Sequence, residues 1–199
     1  MKKVLFATEN ESKVERFKQK LLDHNIKIIS INDLNQKIEV IEDGKDAVEN
    51  ALIKARAYAS VYNFPVFAMD DNLYIENIPN DLQPGMYVRR VNGKRLNDDE
   101  MIKYYSNLAH TYGESGRLTC RWIYGIAVVN NGLEKTYTWS KNDFYIIDRQ
   151  SDKVNIGYPL NTISVNKILN KYFTDMTEED KKLVQEDESD VINFLYENV

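Results

Sequence analysis

Asp46-Ala47-Val48-Glu49-Asn50-Ala51-Leu52-Ile53-Lys54-Ala55-Arg56-Ala57-Tyr58-Ala59-Ser60-Val61-Tyr62, then Asn63-Phe64-Pro65, then Val66-Phe67-Ala68-Met69-Asp70-Asp71, is the stretch that sets the fold class. Ala47, Ala51, Ala55, Tyr58 and Tyr62 recur at helical spacing, which predicts a helix over Asp46 to Tyr62 with one apolar side. Asn63-Phe64-Pro65 stops it, and Val66 to Met69 reads as a buried strand. Ligands of α/β sheets gather at the carboxyl ends of strands, so Asp70 and Asp71 stand where a site is expected. Aspartate also favours turns, and a tandem Asp closing a strand is equally read that way. Just upstream lies Glu42-Asp43-Gly44. Acids on a helix and acids after a strand can share one Mg²⁺, an ion that prefers carboxylates combined with substrate phosphates.

Working outward, Val4 to Ala7 reads as a short buried strand, and Val14, Phe17, Leu21 and Leu22 continue as a helix to residue 23. Ile26 to Ile31 reads as a second strand. Glu76 to Lys94, with Pro79 and Pro84, is expected to be loop-rich. Asn97 to His110 is a helix with Asn97 as its cap. Leu118 to Val129 and Lys135 to Ile147 form a long hairpin around Asn130-Asn131-Gly132. The last element is helical from Thr177 to about Asn198, opening with the capping-box pattern Thr177-Glu178-Glu179-Asp180. The chain is long enough for one substantial core or a single α/β body of two lobes, and two independent domains are not expected.

Composition narrows the class further. With 43% hydrophobic and 29% charged residues over 199 positions, the chain reads as an ordinary globular protein. It lacks an apolar run of membrane-spanning length, and Met1-Lys2-Lys3 leads into too short an apolar segment for a signal peptide, so a cytoplasmic address is expected. A net charge of −5 argues against broad nucleic-acid binding, which relies on clustered Lys and Arg. The single cysteine, Cys120, permits no internal disulfide and sits in a strand-like segment, as a small core residue does. His24 and His110 fall near helix ends and read as surface residues. The thirteen tyrosines are mostly core and strand material, with one or two rings free to stack on a base.

Two further groups of residues carry chemistry or a plainer role. Thr8-Glu9-Asn10-Glu11-Ser12-Lys13 falls where a strand hands over to a helix, where outward N–H groups beside a hydroxyl, an amide and an ammonium can hold a phosphate. The plainer role is that Asn10 caps the helix and Lys13 is solvated. On the second helix, Asn50 and Lys54 share a face with Glu49 beside it, either toward a ligand or simply toward solvent.

Taken in order, these segments resemble the inosine triphosphate pyrophosphatase family. The family's Thr-x-Asn-x-x-Lys stands here as Thr8, Asn10 and Lys13. Its Glu-Thr-Gly and Glu-Asn-Ala-x-x-Lys-Ala stand as Glu42-Asp43-Gly44 and Glu49-Asn50-Ala51-Leu52-Ile53-Lys54-Ala55. Its Pro-Gly-x-Tyr-Ser-Ala-Arg is similar to Pro84-Gly85-Met86-Tyr87-Val88-Arg89-Arg90. The resemblance implies an elongated α/β body with a mixed twisted sheet and flanking helices, two lobes around a nucleotide cleft, and a homodimer. It implies Mg²⁺-dependent hydrolysis of non-standard purine nucleoside triphosphates to monophosphate and pyrophosphate. In that reading Glu49 and Asp70 bind metal and Asp70 also serves the attacking water. Thr8, Asn10, Lys13, Lys54, Asp71, Arg90, Gly157, Tyr158 and Lys181 then hold the substrate.

The departures carry equal weight. Where the family has Ala-Asp-Asp-Ser-Gly-Leu, this chain has Ala68-Met69-Asp70-Asp71-Asn72-Leu73. Aligned without a gap, Met69 replaces the first acid and Asp70 is the working one; a one-residue shift would keep both acids but needs a bulge, since sliding a strand by one residue swaps its faces. The family's Phe-Gly-Tyr-Asp-Pro is met only by Ile156-Gly157-Tyr158-Pro159. Its late Ser-His-Arg aligns with Gln185-Glu186-Asp187, so donors toward a purine 6-oxo group give way to acceptors. The expected enzyme therefore has altered base selection. A nucleotide-binding protein with weak or no catalysis on the same fold is the rival, and an interaction module using the acidic carboxyl-terminal helix is a third.

Overall fold

In the computed structural model, which describes residues 1–34, 38–155 and 157–199, the first half of the chain runs β1 (Lys2–Phe6), α1 (Glu11–Leu22), β2 (Ile26–Ser30), α2 (Ala47–Ala59) and β3 (Val66–Ile75). There follow β4 (Arg90–Val91), β5 (Lys94–Arg95), α3 (Asp98–Tyr112), β6 (Arg117–Asn130), β7 (Leu133–Ser140) and β8 (Phe144–Ile147). The chain closes with β9 (Ser164–Asn166), α4 (Glu178–Leu183) and α5 (Ser189–Asn198). The main sheet has the strand order β2-β1-β3-β6-β8-β9 with β7 also on β6, and β4 pairs with β5. Its β1–β2 and β1–β3 pairs are parallel whereas β6–β8 and β8–β9 are antiparallel, so the sheet is mixed, as expected. The chain divides into two compact units, one of residues 1–71, 123–139 and 187–199, the other of residues 72–122 and 140–186. Among the described residues no helix is long and apolar enough to cross a membrane.

In the first unit, strand alternation assigns each helix its own layer. Phe6 and Phe67 stack at 4.1 Å between centroids, and Phe17 of α1 meets both edge-on at 6.0 and 6.3 Å. Their neighbours in sequence, Leu5, Ala7, Val66 and Ala68, pack instead with Ala51, Ala55 and Tyr58 of α2. Both faces of β1 and β3 are thus covered, which is why Val4–Phe6 and Val66–Met69 are apolar without a break. Each helix starts at a side-chain cap: Asn10 accepts from the N–H groups of Ser12 and Lys13, and Asp46 from that of Glu49. Residues 187–199 bring Glu188 to α1, where it accepts from Arg16 Nε at 2.9 Å and pairs with Lys20 at 2.6 Å. The Arg16 guanidinium also lies over the Tyr124 ring at 4.6 Å, so a charge is held on an aromatic face.

The second unit is built around α3. Met101, Ile102, Tyr105, Leu108 and Ala109 form its buried side and pack with Leu73, Ile75, Leu118, Cys120, Phe144 and Ile146. Asn97 caps α3 in a reciprocal capping box with Glu100, as read from the sequence. Cys120 is fully buried, its thiol pushed up to about 12 by desolvation, and is an inert core residue as expected.

Several boundaries differ from the sequence reading. The strand beginning at Val66 does not end at Met69: β3 continues to Ile75, so Asp70 and Asp71 lie inside a strand and not in a turn. Alternation persists beyond them, with Leu73 and Ile75 buried and Tyr74 exposed, and the Gln83 side chain holds both backbone groups of Ile75. The expected hairpin arm Lys135 to Ile147 is two strands, because the Asn142 N–H turns to the Glu186 carboxylate at 2.7 Å. The single terminal helix is also two, α4 and α5, divided where the Glu188 carboxylate is drawn to α1. Leu22 is exposed and not part of the core.

Gly125 of β6 marks where α2 rests on the sheet: a Cβ there would overlap the Val48 backbone nitrogen and the Ala47 carbonyl carbon. Gly125→Ala is expected to cost about 1–3 kcal/mol by overpacking, read as a lower urea midpoint at unchanged slope.

Candidate functional site

The alternation that places α1 and α2 on opposite faces also separates the two acids of β3. Asp70 shares the face of Val66 and Ala68, and its Oδ2 receives Lys54 of α2 at 3.4 Å. Asp71 shares the face of Phe67 and Met69, and its Oδ1 pairs with Lys13 of α1 at 2.5 Å. Lys13 also lies 4.0 Å from Asp70 Oδ1, so its ammonium bridges the two carboxylates. Lys54 in turn holds Glu42 at 2.9 Å. Two ammonium groups and three carboxylates therefore form one connected network. These groups are mostly sheltered, with 16% of the Lys54 side chain and 18% of the Asp70 side chain exposed, so their charges are less screened than on open surface.

Neither plainer alternative describes the lysines. Asn10 does cap α1, accepting from Ser12 at 2.9 Å and Lys13 at 3.3 Å, while Thr8 Oγ1 accepts the Asn10 N–H at 3.2 Å. Lys13, however, is paired and not solvated. Asn50 is 3% exposed and accepts the Gly44 N–H at 2.9 Å, which ties the loop bearing Glu42 to α2. A Cβ on Gly44 would sit 2.7 Å from Asn50 Oδ1, so this position admits only hydrogen. Glu49 is oriented differently from Asp70: its Oε2 accepts the Lys45 N–H at 2.8 Å and its Oε1 faces Lys45 Nζ at 3.4 Å.

In the second unit, Gly157 is held by residues distant in sequence. Its N–H donates to Asp98 Oδ2 at 2.9 Å, Arg89 Nη1 donates to Asp98 Oδ1 at 2.6 Å, and Arg89 Nη2 reaches the Gly157 carbonyl at 3.5 Å. Gly157 has φ +82°, a left-handed backbone that suits glycine. Tyr158 beside it is about half exposed. Ile156, quoted with this motif, lies outside the described residues. Arg90 is exposed on β4, whereas its neighbour Arg89 makes the contacts. Lys181 pairs with Glu178 on its own helix at 2.6 Å. Glu186 accepts from Asn142, and Asp187 Oδ1 accepts the Ser189 N–H at 2.8 Å.

Residues 4–187 match the model of the Ham1 family. The chain belongs to that family. Within it, the chain is 32% identical over 182 residues to a dITP/XTP pyrophosphatase of Wigglesworthia glossinidia brevipalpis, covering 91% of this chain and 89% of that protein. It is 29% identical over 185 residues to the dITP/XTP pyrophosphatase of Bacillus subtilis strain 168, covering 92% and 90%. The fold is that of the Staphylococcus aureus Ham1 protein, with TM-score 0.75 at 23% identity over 98% of this chain and 97% of that one. A Ham1 protein of Coxiella burnetii superposes with TM-score 0.73 at 25% identity, over 99% and 98%. The resemblance read from Thr8 to Arg90 is thereby borne out, and so is the mixed α/β fold.

Three residues of this Ham1 chain gain importance only from the structure. Glu42 was visible in the Glu-x-Gly motif, and its approach to Lys54 follows from Asn50 holding Gly44. Arg89 and Asp98 carried no signal, because a guanidinium in a loop-rich stretch and a carboxylate in the first turn of the next helix look like ordinary surface charge. Asp98 is held below the usual carboxylate range, first by the Arg89 hydrogen bond and then by the Gly157 N–H. A depressed carboxylate contributes stability above its unfolded value of 3.8 and loses it as pH falls through the folded value. Asp98→Asn is therefore expected to lower Tm at neutral pH, with the difference from wild type shrinking below pH 3.8 in a calorimetric series.

Proposed function

We propose that this chain hydrolyses nucleoside triphosphates to the monophosphate and pyrophosphate, with inosine, xanthosine and deoxyinosine triphosphates the first substrates to test. The observation that supports this reading most is the pairing of Asp70 and Asp71 with Lys54 and Lys13 across β3. Phosphoryl chemistry asks mainly for positioning and charge neutralisation. On substrate entry the two ammonium groups exchange carboxylate for phosphate oxygens, with Thr8 and Asn10 at the start of α1 lining the same approach. Asp70 then orients the attacking water and accepts its proton as the bond between the α-phosphorus and the bridging oxygen breaks, and pyrophosphate leaves. Arg90, Gly157, Tyr158 and Lys181 are proposed as further substrate-binding residues.

Among the described residues no three His, Cys, Asp or Glu side chains gather into a ready-made metal cage. That fits Mg²⁺, which keeps waters and takes one or two carboxylates together with substrate phosphates. Glu49 and Asp70 are the proposed ligands, with Glu42 the further carboxylate linked through Lys54. When bound, the ion would neutralise phosphate charge as the leaving group departs. The proposed working form is a cytoplasmic homodimer acting on free nucleotides, the net charge of −5 supporting the absence of nucleic acid.

Base selection is proposed to be relaxed. Gln185, Glu186 and Asp187 offer no guanidinium or imidazole toward a 6-oxo group. A site with a full set of paired donors rejects the wrong base by on the order of 10⁴-fold, whereas here the ratio of kcat/KM for inosine over adenosine triphosphate is expected to be about tenfold or less. The rival reading, binding without turnover, is favoured by Met69, which is 1% exposed where the family has an acid.

Pyrophosphate release from a nucleotide panel with Mg²⁺ decides between them. Wild type should release it from at least one nucleotide, and Asp70→Asn should lose about 100-fold or more in kcat. Glu49→Gln should raise the Mg²⁺ concentration needed for half-maximal rate. Silence of the folded protein across the panel would overturn the enzyme, and loss of activity in Asp71→Asn alone would move the water-activating role to Asp71.

A further inference from the structure

The turn between α3 and β6 walls a cavity that the nucleotide reading does not use. Its volume is about 430 Å³, within the roughly 300–1,000 Å³ of small-molecule sites, and Glu76, Tyr112, Glu114, Arg117, Thr119 and Tyr145 line it. All six belong to the second unit, and none is among the residues proposed to meet nucleotide. Strand parity builds the floor. Leu118 and Cys120 turn into the core beside α3, so Arg117 and Thr119 leave the opposite face of β6, where Thr119 stands opposite Tyr145 of β8. β3 adds a wall, because the Glu76 N–H donates to the Thr119 carbonyl at 2.8 Å. The turn itself is fixed at both ends: the Gly113 N–H donates to the Ala109 carbonyl at 3.0 Å, and the Gly116 carbonyl accepts the Asp148 N–H at 3.0 Å. A Cβ on Gly113 would lie 2.4 Å from the Ala109 carbonyl oxygen, and one on Gly116 would lie 2.4 Å from Asp148 Oδ2, so both positions are already in close contact. Ser115 between them has φ +52°, a left-handed backbone that is costly for serine and is imposed by these surroundings.

The charges of this cavity suit a ligand of two signs. Glu114 and Arg117 stand opposite each other across an isolated antiparallel bridge, a placement in which opposite charges attract. Among the described residues, however, neither side chain is in an ion pair. The Arg117 guanidinium lies instead 5.5 Å from the centre of the Tyr145 ring, and Lys167 Nζ lies 4.9 Å from the same centre. The second carboxylate, Glu76, is already met by Arg121 at 2.7 Å. One acid and one base thus remain for an incoming molecule. A simple anion would be repelled by Glu114 and a simple cation by Arg117, whereas a zwitterion satisfies both at once. The Tyr112 ring, 41% exposed, adds an apolar face to the same cavity. We propose that this cavity binds a free α-amino acid with an apolar side chain, its ammonium on Glu114, its carboxylate on Arg117 and its side chain against Tyr112.

Thermal-shift titrations of the full chain test it with three probes built on one skeleton: L-phenylalanine, phenethylamine, which lacks the carboxylate, and 3-phenylpropionate, which lacks the ammonium. L-Phenylalanine should raise Tm in a saturable way, and each half-probe should bind about tenfold more weakly or worse, since each forfeits one charge-assisted hydrogen bond. The variants should fail selectively. Glu114→Gln should weaken L-phenylalanine about tenfold and leave 3-phenylpropionate within about twofold, while Arg117→Gln should weaken L-phenylalanine about tenfold and leave phenethylamine within about twofold. Both positions are exposed, so both variants should still melt cooperatively. The proposal is overturned by any of four results: no saturable shift of wild type with L-phenylalanine, a half-probe that binds as tightly as the zwitterion, unchanged L-phenylalanine affinity in either variant, or an equal loss of all three probes in either variant.

Discussion

The pleat of β3 is the constraint on which the rest of the first unit depends. Because successive side chains leave opposite faces, Val66, Ala68 and Asp70 meet α2 while Phe67, Met69 and Asp71 meet α1. The same alternation that builds two apolar layers therefore hands one acid to each helix. On the helices the register agrees. Lys13 lies four residues before Phe17 and so shares its face, and Lys54 lies four before Tyr58 on the buried side of α2. Packing of Phe17 on Phe67 and of Ala51 and Ala55 on Ala68 carries each lysine to its carboxylate.

Pairing of this kind is more than a stabilising contact. Exposed ion pairs contribute little, but partly sheltered ones hold charges of both signs close together at reduced screening. A polyanion with a bound cation can exchange every partner in such a network without leaving a charge unpaired. Mutual pairing explains how two lysines and three acids coexist within a small region of a protein whose net charge is −5. Gly44, Asn50 and Gly125 are the silent parts of the arrangement: each permits a close backbone approach that positions Glu42 or α2.

Much of this was legible in the residues themselves. The caps Asn10 and Asn97, the alanine stripe of α2 and the Thr8, Asn10, Lys13 spacing are local signals, and local signals survive folding when nothing competes. The places where the reading failed share one cause, a long-range partner. β3 runs on past Asp71 because Gly85 and Gln83 take up the backbone of Leu73 and Ile75. The terminal helix breaks because Glu188 is claimed by Arg16 and Lys20. The contacts of Arg89 with Asp98 and Gly157 are likewise made by the fold and have no counterpart in motif spacing.

By itself, then, the sequence determined the mixed α/β class and the family, since these follow from periodicity, capping chemistry and motif order along the chain. Tertiary structure alone decided which carboxylate faces which lysine, that Glu49 turns to Lys45 while Glu42 turns to Lys54, and that Arg89 closes on Gly157. The physical reason is that side-chain direction depends on strand parity and on partners far off in sequence, and neither is encoded in spacing along a single segment.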